Sequence, residues 1–351
     1  MSSGGPAPTE GAAQVRSRPT IYDIARAAGV NPSTVSRALN KPGRVSAKTQ
    51  KAIQDAAEEL QFQVNPYARA LGTGRSETLG LILTDITNPT FFDMIRAAQS
   101  TAITRNYTMM MAESSESADT ELKAALRMQA TVDGLILASP RMDDDNIRML
   151  AAIKPLVVMN REVDGVSCVV PDVTAGISAA VRALAEQGHH RIAYLGGPQK
   201  SWMSVRRWEG VEAACDWSRL DAVRLETVNP TVDGGRKVAR EVLASGATAV
   251  MAYNDLLAIG LMQELQAGGV AVPDQISIIG FDDIFGANFT TPPLTTVRSP
   301  LGTCGTTAAT LLLNKLDGES DEKPSLVHVN TELIVRGSSG RLLPAVHQTI
   351  H

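Results

Sequence analysis

The sequence predicts an N-terminal all-α helix-turn-helix headpiece joined to an α/β core of two doubly wound lobes. Three observations predict it. Residues 20–60 carry apolar stripes at helical spacing, interrupted by a glycine. From Leu79 onward, short β-rich runs alternate with helix-length segments. That alternation continues for roughly 260 residues, more than one doubly wound unit holds.

The whole chain sets the bounds. Of its 351 residues, 44% are apolar and 20% charged, so a large core is available and global disorder is excluded. Aromatics make up only 4%, which leaves Ala, Val, Ile and Leu to fill most of the interior. The net charge of −4 hides an asymmetry. Residues 16–76 hold ten Lys/Arg against four Asp/Glu and carry +6, while residues 77–351 carry −9. A basic block on an acidic body points to a polyanion partner for the block alone. Cys168, Cys215 and Cys304 are far apart and form no CxxC, so neither a disulfide framework nor a zinc site is expected, which suits a reducing cytosol. No apolar run approaches the length of a membrane span, and the first residues lack the apolar centre of a signal peptide. Residues 1–18, rich in Ser, Gly, Pro and Ala, read as a disordered lead-in.

The headpiece is expected over residues 19–64. Thr20 caps a first helix with Asp23 as its capping-box partner, and Ile21, Ile24, Ala25 and Ala28 make one apolar stripe. Gly29 stops it. Asn31 caps a second helix with Pro32 at its first position, where a missing amide costs nothing. Val35 and Leu39 face inward, which leaves Ser33, Thr34, Ser36, Arg37 and Asn40 outward. A third helix from Ser46 buries Ile53, Ala56, Ala57 and Leu60. In such a motif the second helix enters the major groove. Arg37 is the residue best equipped to read bases there, because its fork matches two acceptors on guanine. Next, Asn65 to Gly72 reads as a one-to-two-turn helix with Pro66 at its first position, within a linker over residues 65–78. A helix shorter than about 12–15 residues is marginal in water, so this one needs a partner to hold it.

In the core, strands are expected at Leu79–Thr84, Thr108–Ala112, Gly134–Ala138, Leu156–Met159, Arg191–Gly196, Ala249–Ala252 and Ser277–Phe281. Helices are expected at Phe92–Asn106, Ala118–Thr131, Thr174–Gln187, Gly234–Ser245 and Leu256–Ala267. Ligands of such folds bind beyond the carboxyl ends of the strands, in the crevice between lobes. His189 and His190 read as surface turn residues, Asp255 as a residue that caps or charges its helix, and Asp143 to Asp145 as a solvated helix start. Asp282 and Asp283, as strand neighbours, are expected to point to opposite faces.

The run Thr20-Ile21-Tyr22-Asp23-Ile24-Ala25-Arg26-Ala27-Ala28-Gly29-Val30, then Ser33 to Asn40, then Val45-Ser46, resembles the headpiece of the lactose-repressor (LacI/GalR) family. Further signatures continue through the core: Asp85-Ile86-Thr87-Asn88-Pro89, Asp133 to Leu137, Gly188-His189-His190-Arg191, Asn254-Asp255, Ile279 to Asp283 and Pro292 to Val297. The resemblance implies a bacterial DNA-binding transcriptional repressor, allosterically controlled by a small molecule, a sugar or a related metabolite. It implies a homodimer, with the interface in the core, on a near-palindromic double-stranded operator. It places the protein in the cytoplasm, on the nucleoid. DNA contacts are implied for Tyr22, Pro32, Ser33, Thr34, Ser36, Arg37 and Asn40. Pro32 departs from the polar or aromatic residue often found there and brings no donor. Asn65, Ala68 and Leu71 are implied at the minor groove, with Leu71 as the wedge between central base pairs.

The core is implied to resemble periplasmic sugar-binding proteins over residues 79–340, ahead of a tail at 341–351. The chain would cross between lobes near residues 172, 297 and 328. Lobe 1 then holds about 79–172 and 298–327, and lobe 2 about 173–297 and 328–340. The implied effector contacts are Phe91, Phe92, Asn160, Arg207, Asn254 and Asp282, with Trp202 a looser candidate. Asn160 stands where the family is commonly acidic. No catalytic residue, cofactor or metal is expected: GxxxxGK[ST], HExxH and GxSxG are all absent, and no Cys/His cluster has metal spacing. Two rival classes fit less well. A pure sugar-binding protein would need a signal peptide and no headpiece. An architectural DNA-bending protein would need no cleft.

Overall fold

The structure, a computed structural model, describes residues 19–40, 43–62, 74–227, 229–319 and 323–342. The chain divides into two compact units, residues 1–76 and 77–351.

The described part of the first unit is three helices: α1 (Ile21–Ala27), α2 (Pro32–Asn40) and α3 (Ala47–Glu59). Local chemistry sets their ends. The Asp23 carboxylate accepts from the Thr20 amide at 2.9 Å and from its hydroxyl at 2.7 Å. Gly29, at φ +65°, makes the turn out of α1, a conformation that costs glycine little. The Ser46 hydroxyl accepts from the Thr49 amide at 3.2 Å and starts α3. Ile24, Ala25, Val35, Ala38, Ile53 and Ala56 close the core, with Leu39, Ala57 and Leu60 packed on its margin. Asn65, Ala68 and Leu71, and the helix expected around them, lie outside the described residues.

The second unit holds two six-stranded sheets. The first, in order β11-β5-β4-β3-β1-β2, is parallel throughout. Its strands are β1 (Thr78–Leu83), β2 (Thr108–Glu113), β3 (Gly134–Ala138), β4 (Leu156–Met159), β5 (Ser167–Asp172) and β11 (Leu326–Asn330). The second has the order β12-β10-β9-β8-β6-β7. It comprises β6 (Arg191–Leu195), β7 (Asp221–Leu225), β8 (Ala249–Ala252), β9 (Ser277–Asp282), β10 (Thr295–Arg298) and the antiparallel edge β12 (Glu332–Ile334). β3, β4 and β8 are buried at every residue, as strands covered by helices on both faces must be.

The helices are α4 (Thr90–Thr104), α5 (Ala118–Gln129), α6 (Asp144–Ile153), α7 (Thr174–Glu186), α8 (Trp202–Ser218), α9 (Val232–Lys237), α10 (Ala239–Ala244), α11 (Asp255–Ala267) and α12 (Leu301–Asp317). None of the described helices is long and apolar enough to cross a membrane. The single helix expected at Gly234–Ser245 is two, α9 and α10. Gly235 lets α9 lie against α11, because a Cβ there would come within 2.8 Å of the Leu261 amide.

The chain passes between the lobes after β5, after β10 and after β11. The third passage falls at Thr331, later than the expected 328, because His328, Val329 and Asn330 still pair with Val170, Pro171 and Asp172. Thr331 knits the passages together: its hydroxyl donates to Asp172 O at 2.8 Å and accepts from the Gly176 amide at 3.3 Å.

One expectation reverses here. His189 is fully buried, not a surface turn residue. Its Nδ1 lies 2.9 Å from Thr248 Oγ1 and its Nε2 2.9 Å from Ser277 Oγ, so it ties together the segments that lead into β6, β8 and β9. His190 is exposed as expected.

Candidate functional site

In a doubly wound sheet the crevice forms where successive connections leave in opposite directions. In lobe 1 that point lies between β1 and β3, and in lobe 2 between β6 and β8. The chain following these four strands supplies Thr84, Asn88 and Thr90, then Ser139 and Arg141, then Met203 and Arg207, then Tyr253. All eight line one small cavity of about 40 Å³ between the lobes, together with Phe91, Glu116, Asn160 and Asp282.

The backbone around this cavity is unusual. Glu116, Ser139, Asn160 and Asp282 have φ of +60°, +59°, +59° and +107°. Each follows or ends a strand, and all four line the cavity. Non-glycine residues persist in such conformations only where the surroundings over-determine them, and they cluster at ligand sites.

Arg207 and Asp282 form the centre on lobe 2. Arg207 Nη2 donates to Asp282 Oδ1 at 2.8 Å, and the two side chains are 7% and 6% exposed. Nη1 donates to Tyr253 O. The guanidinium lies 3.7 Å from the Phe281 ring centre and 4.9 Å from that of Tyr253, so the aromatic faces replace part of its lost hydration. Burial pushes the Asp282 carboxyl up from its ordinary range, against the opposing pull of Arg207. Opposite, Asn160 Nδ2 donates to Ser139 Oγ at 2.8 Å. Thr90 Oγ1, Asn160 Oδ1 and Arg207 Nε are buried without a hydrogen-bond partner. An orphaned acceptor and an orphaned donor in one cavity are what a polar ligand would satisfy.

Of the expected effector contacts, Phe91, Asn160, Arg207 and Asp282 line this cavity. Phe91 is also part of the lobe 1 core. Phe92 does not line it. Phe92 is 41% exposed and stacks on Phe285 at 6.3 Å between ring centres, in an outer crevice. Asn254 does not line it either. Its Oδ1 accepts from the Leu257 amide at 3.0 Å and caps α11, while Nδ2 donates to Pro230 O at 2.9 Å. Both halves of the amide are thus engaged, and Asn254 acts by positioning the cavity-lining Pro230. Trp202 lies on a separate surface groove beside α7 and α8. Asp255 does more than start its helix: fully buried, it accepts from Thr296 Oγ1 at 2.6 Å and from the Ile284 amide at 2.8 Å. Burial first, then the charges of Asp282 and Asp283, push its carboxyl well up. Asp283 turns away from the cavity to Arg298 at 2.8 Å and Arg336 at 2.6 Å.

The sequence reading missed Glu116, Ser139 and Arg141. A signal existed, since Ser139 and Arg141 directly follow a strand it placed correctly, at the end where such folds bind ligands.

On the headpiece, Tyr22 is 69% exposed, and Ser33 and Arg37 are exposed on α2. Pro32, Thr34 and Ser36 are half-buried, and Asn40 ends the helix. Val35 and Ala38 hold the opposite face in the core.

A family model described as bacterial regulatory proteins, lacI family, matches residues 20–65, and one described as periplasmic binding protein-like domain matches residues 181–339. The chain is 34% identical over 328 residues to the HTH-type transcriptional regulator GalR of Salmonella typhimurium, covering 91% of this chain and 95% of that one. It belongs to the LacI family of bacterial regulators. The regulator is also 31% identical to the HTH-type transcriptional repressor CytR of Escherichia coli, over 93% of this chain and 97% of that one. Among solved structures, the transcriptional regulator CelR–cellobiose complex superposes with a TM-score of 0.69 at 29% identity, covering 92% of this chain and all of that one. The regulator is thus a sequence-specific DNA-binding transcription factor, with a helix-turn-helix over the matched N-terminal residues and a two-lobed core.

Proposed function

We propose that this regulator is a homodimeric repressor whose effector is a sugar or related polyhydroxylated metabolite held between the lobes. The observation that carries the reading is the interlobe cavity, where four lining residues hold left-handed backbone conformations and three lining residues have a buried polar atom without a partner. Relatives support it. A curated relative 32% identical over 90% of this chain is the ribose operon repressor of Halalkalibacterium halodurans, and a regulator from Enterococcus faecium, 28% identical, carries bound ribose. At about 40 Å³ the cavity is far below the ~300–1,000 Å³ of small-molecule sites, so an effector enters as the lobes separate. The effector then shifts the lobe angle by its differential affinity for the two arrangements.

Ile103, Met110 and Met111 on lobe 1, and Phe285 and Phe289 on lobe 2, are 43–76% exposed, large apolar side chains that a second copy would cover. Tyr22, Ser33, Arg37 and their neighbours on α2 face the operator, and Leu71, by its place in the sequence, wedges the minor groove. The protein acts in the cytoplasm, on the nucleoid, and catalyses nothing. The test is a thermal-shift screen of sugars and polyols with the full-length protein, followed by operator binding with and without each hit. A hit that raises the melting temperature and changes operator affinity is the expected result. If every hit leaves operator affinity unchanged, the core is not a sensor for this headpiece.

A further inference from the structure

Lobe 1 brings a charged pair of its own to the cleft. The Arg141 side chain is 3% exposed. Its Nε lies 2.6 Å from Glu116 Oε2 and its Nη2 3.2 Å from Glu116 Oε1, a two-point pairing. Nη1 donates to Ser139 O at 2.6 Å. The backbone beneath is fixed too: the buried Glu121 carboxylate accepts from the Arg141 amide at 2.7 Å and from the Met142 amide at 3.0 Å. The guanidinium is therefore held in place before any ligand arrives.

Across the cavity stands the Arg207–Asp282 pair. These two pairs are the charged side chains that line it among the described residues, and their formal charges cancel. An entering anion meets guanidiniums that are already neutralised. It must displace Glu116 or Asp282, or lie beside them in a desolvated space where like charges repel. A hydroxyl meets neither penalty, because it donates to a carboxylate lone pair and accepts from a guanidinium N–H at once. The orphaned Arg207 Nε and Asn160 Oδ1 add one donor and one acceptor of the same kind.

We propose that Arg141–Glu116 is the lobe 1 half of effector recognition, and that with Arg207–Asp282 it restricts the effector to uncharged polyhydroxylated molecules and rejects phosphorylated or acidic sugars. This rests on the effector reading above and narrows it to one charge class.

The test is calorimetric titration of the full-length protein with matched pairs: D-ribose and D-ribose 5-phosphate, D-galactose and D-galacturonate, cellobiose and cellobionate. The wild type is expected to bind the neutral member of a responding pair at least about tenfold more tightly than its anionic partner. Glu116→Gln keeps the side-chain size and leaves Arg141 with an uncompensated charge, so it should shrink that preference by about tenfold or reverse it. Glu116 is 34% exposed, and a thermal melt shows whether the variant is folded. Tighter wild-type binding of an anionic member overturns this inference and leaves the effector reading standing. An unchanged preference in folded Glu116→Gln removes Arg141–Glu116 from recognition. No response to either member of any pair removes the effector reading, and this inference with it.

Discussion

The two lobes share a winding order and present the loops of their switch points to one cavity, yet they hold charge differently. In lobe 2, both members of Arg207–Asp282 are nearly sealed from water, with the guanidinium against Phe281 and Tyr253. In lobe 1, Arg141 is equally sealed but its partner Glu116 is 34% exposed. A pair with both ends buried has no alternative partner if one end is lost. A pair with one wet end has water. The lobe 2 pair is therefore locked at both ends, while in lobe 1 Arg141 is locked and Glu116 alone can turn to water.

The sharpest way to break this contrast is to remove one cation from each lobe. Arg207→Ala strands a buried carboxylate and should cost about 3–5 kcal/mol of stability, besides abolishing the effector response. Arg141→Ala lets Glu116 turn to water, so only the lost bond to Ser139 O and the space left behind count, and it should cost less, about 1–3 kcal/mol. Urea denaturation of the two variants decides it, and equal losses would erase the distinction between the lobes. Adding Asp282→Asn to Arg207→Ala should recover part of the larger loss, because the stranded charge is gone.

The passages joining the lobes offer a second comparison. A Cβ on Gly176 would strike Val297 and approach Thr331 Oγ1 to 2.6 Å. Gly176→Ala should cost about 1–3 kcal/mol by overpacking, and should weaken the effector's control of operator affinity more than effector binding itself. Calorimetry alongside operator titration separates the two; a loss confined to binding would place Gly176 outside the coupling.

The headpiece provides a control that lies in neither lobe's sequence. Arg37→Ala should lower operator affinity by about 1–3 kcal/mol while largely sparing weak binding to random DNA. Melting of the core should not move. Equal losses on operator and random DNA would mean that Arg37 reads phosphate rather than bases.

The smallest effect concerns lobe 2 alone. Burial holds the His189 imidazole below its usual value of 6.5. Between that depressed value and 6.5 the folded protein binds fewer protons than the unfolded chain. The contribution is therefore complete above pH 6.5 and lost as pH falls through the depressed value. His189→Gln should cost about 1 kcal/mol at neutral pH and flatten this slope. Melting temperatures from pH 7.5 to 5 should converge for the two proteins on the acid side; parallel curves would mean that His189 titrates alike in both states.

The class of fold and much of its local detail can be read from residue order alone. The boundaries of β3, β4 and β8 are readable to the residue, because strands buried on both faces must be apolar throughout. The cap at Thr20, the start of α3 near Ser46, and the exposure of Ser33 and Arg37 on α2 follow from side-chain chemistry within a few residues. Arg207 and Asp282 were legible through the family resemblance. Tertiary structure alone decided the rest. β7, β11 and β12 lie at sheet edges, where pairing with a neighbour rather than an apolar run makes a strand, and β5 carries Pro171. Glu116 and Arg141 stand 25 residues apart and meet only because β1 is flanked by both β2 and β3. The family resemblance puts Asn254 in the cleft, and residue type puts His189 at the surface. Their neighbours, Pro230 O for one and Thr248 with Ser277 for the other, claim their polar atoms and turn them into internal ties. A side chain's type sets which bonds it can make, and packing over long sequence distances chooses among them.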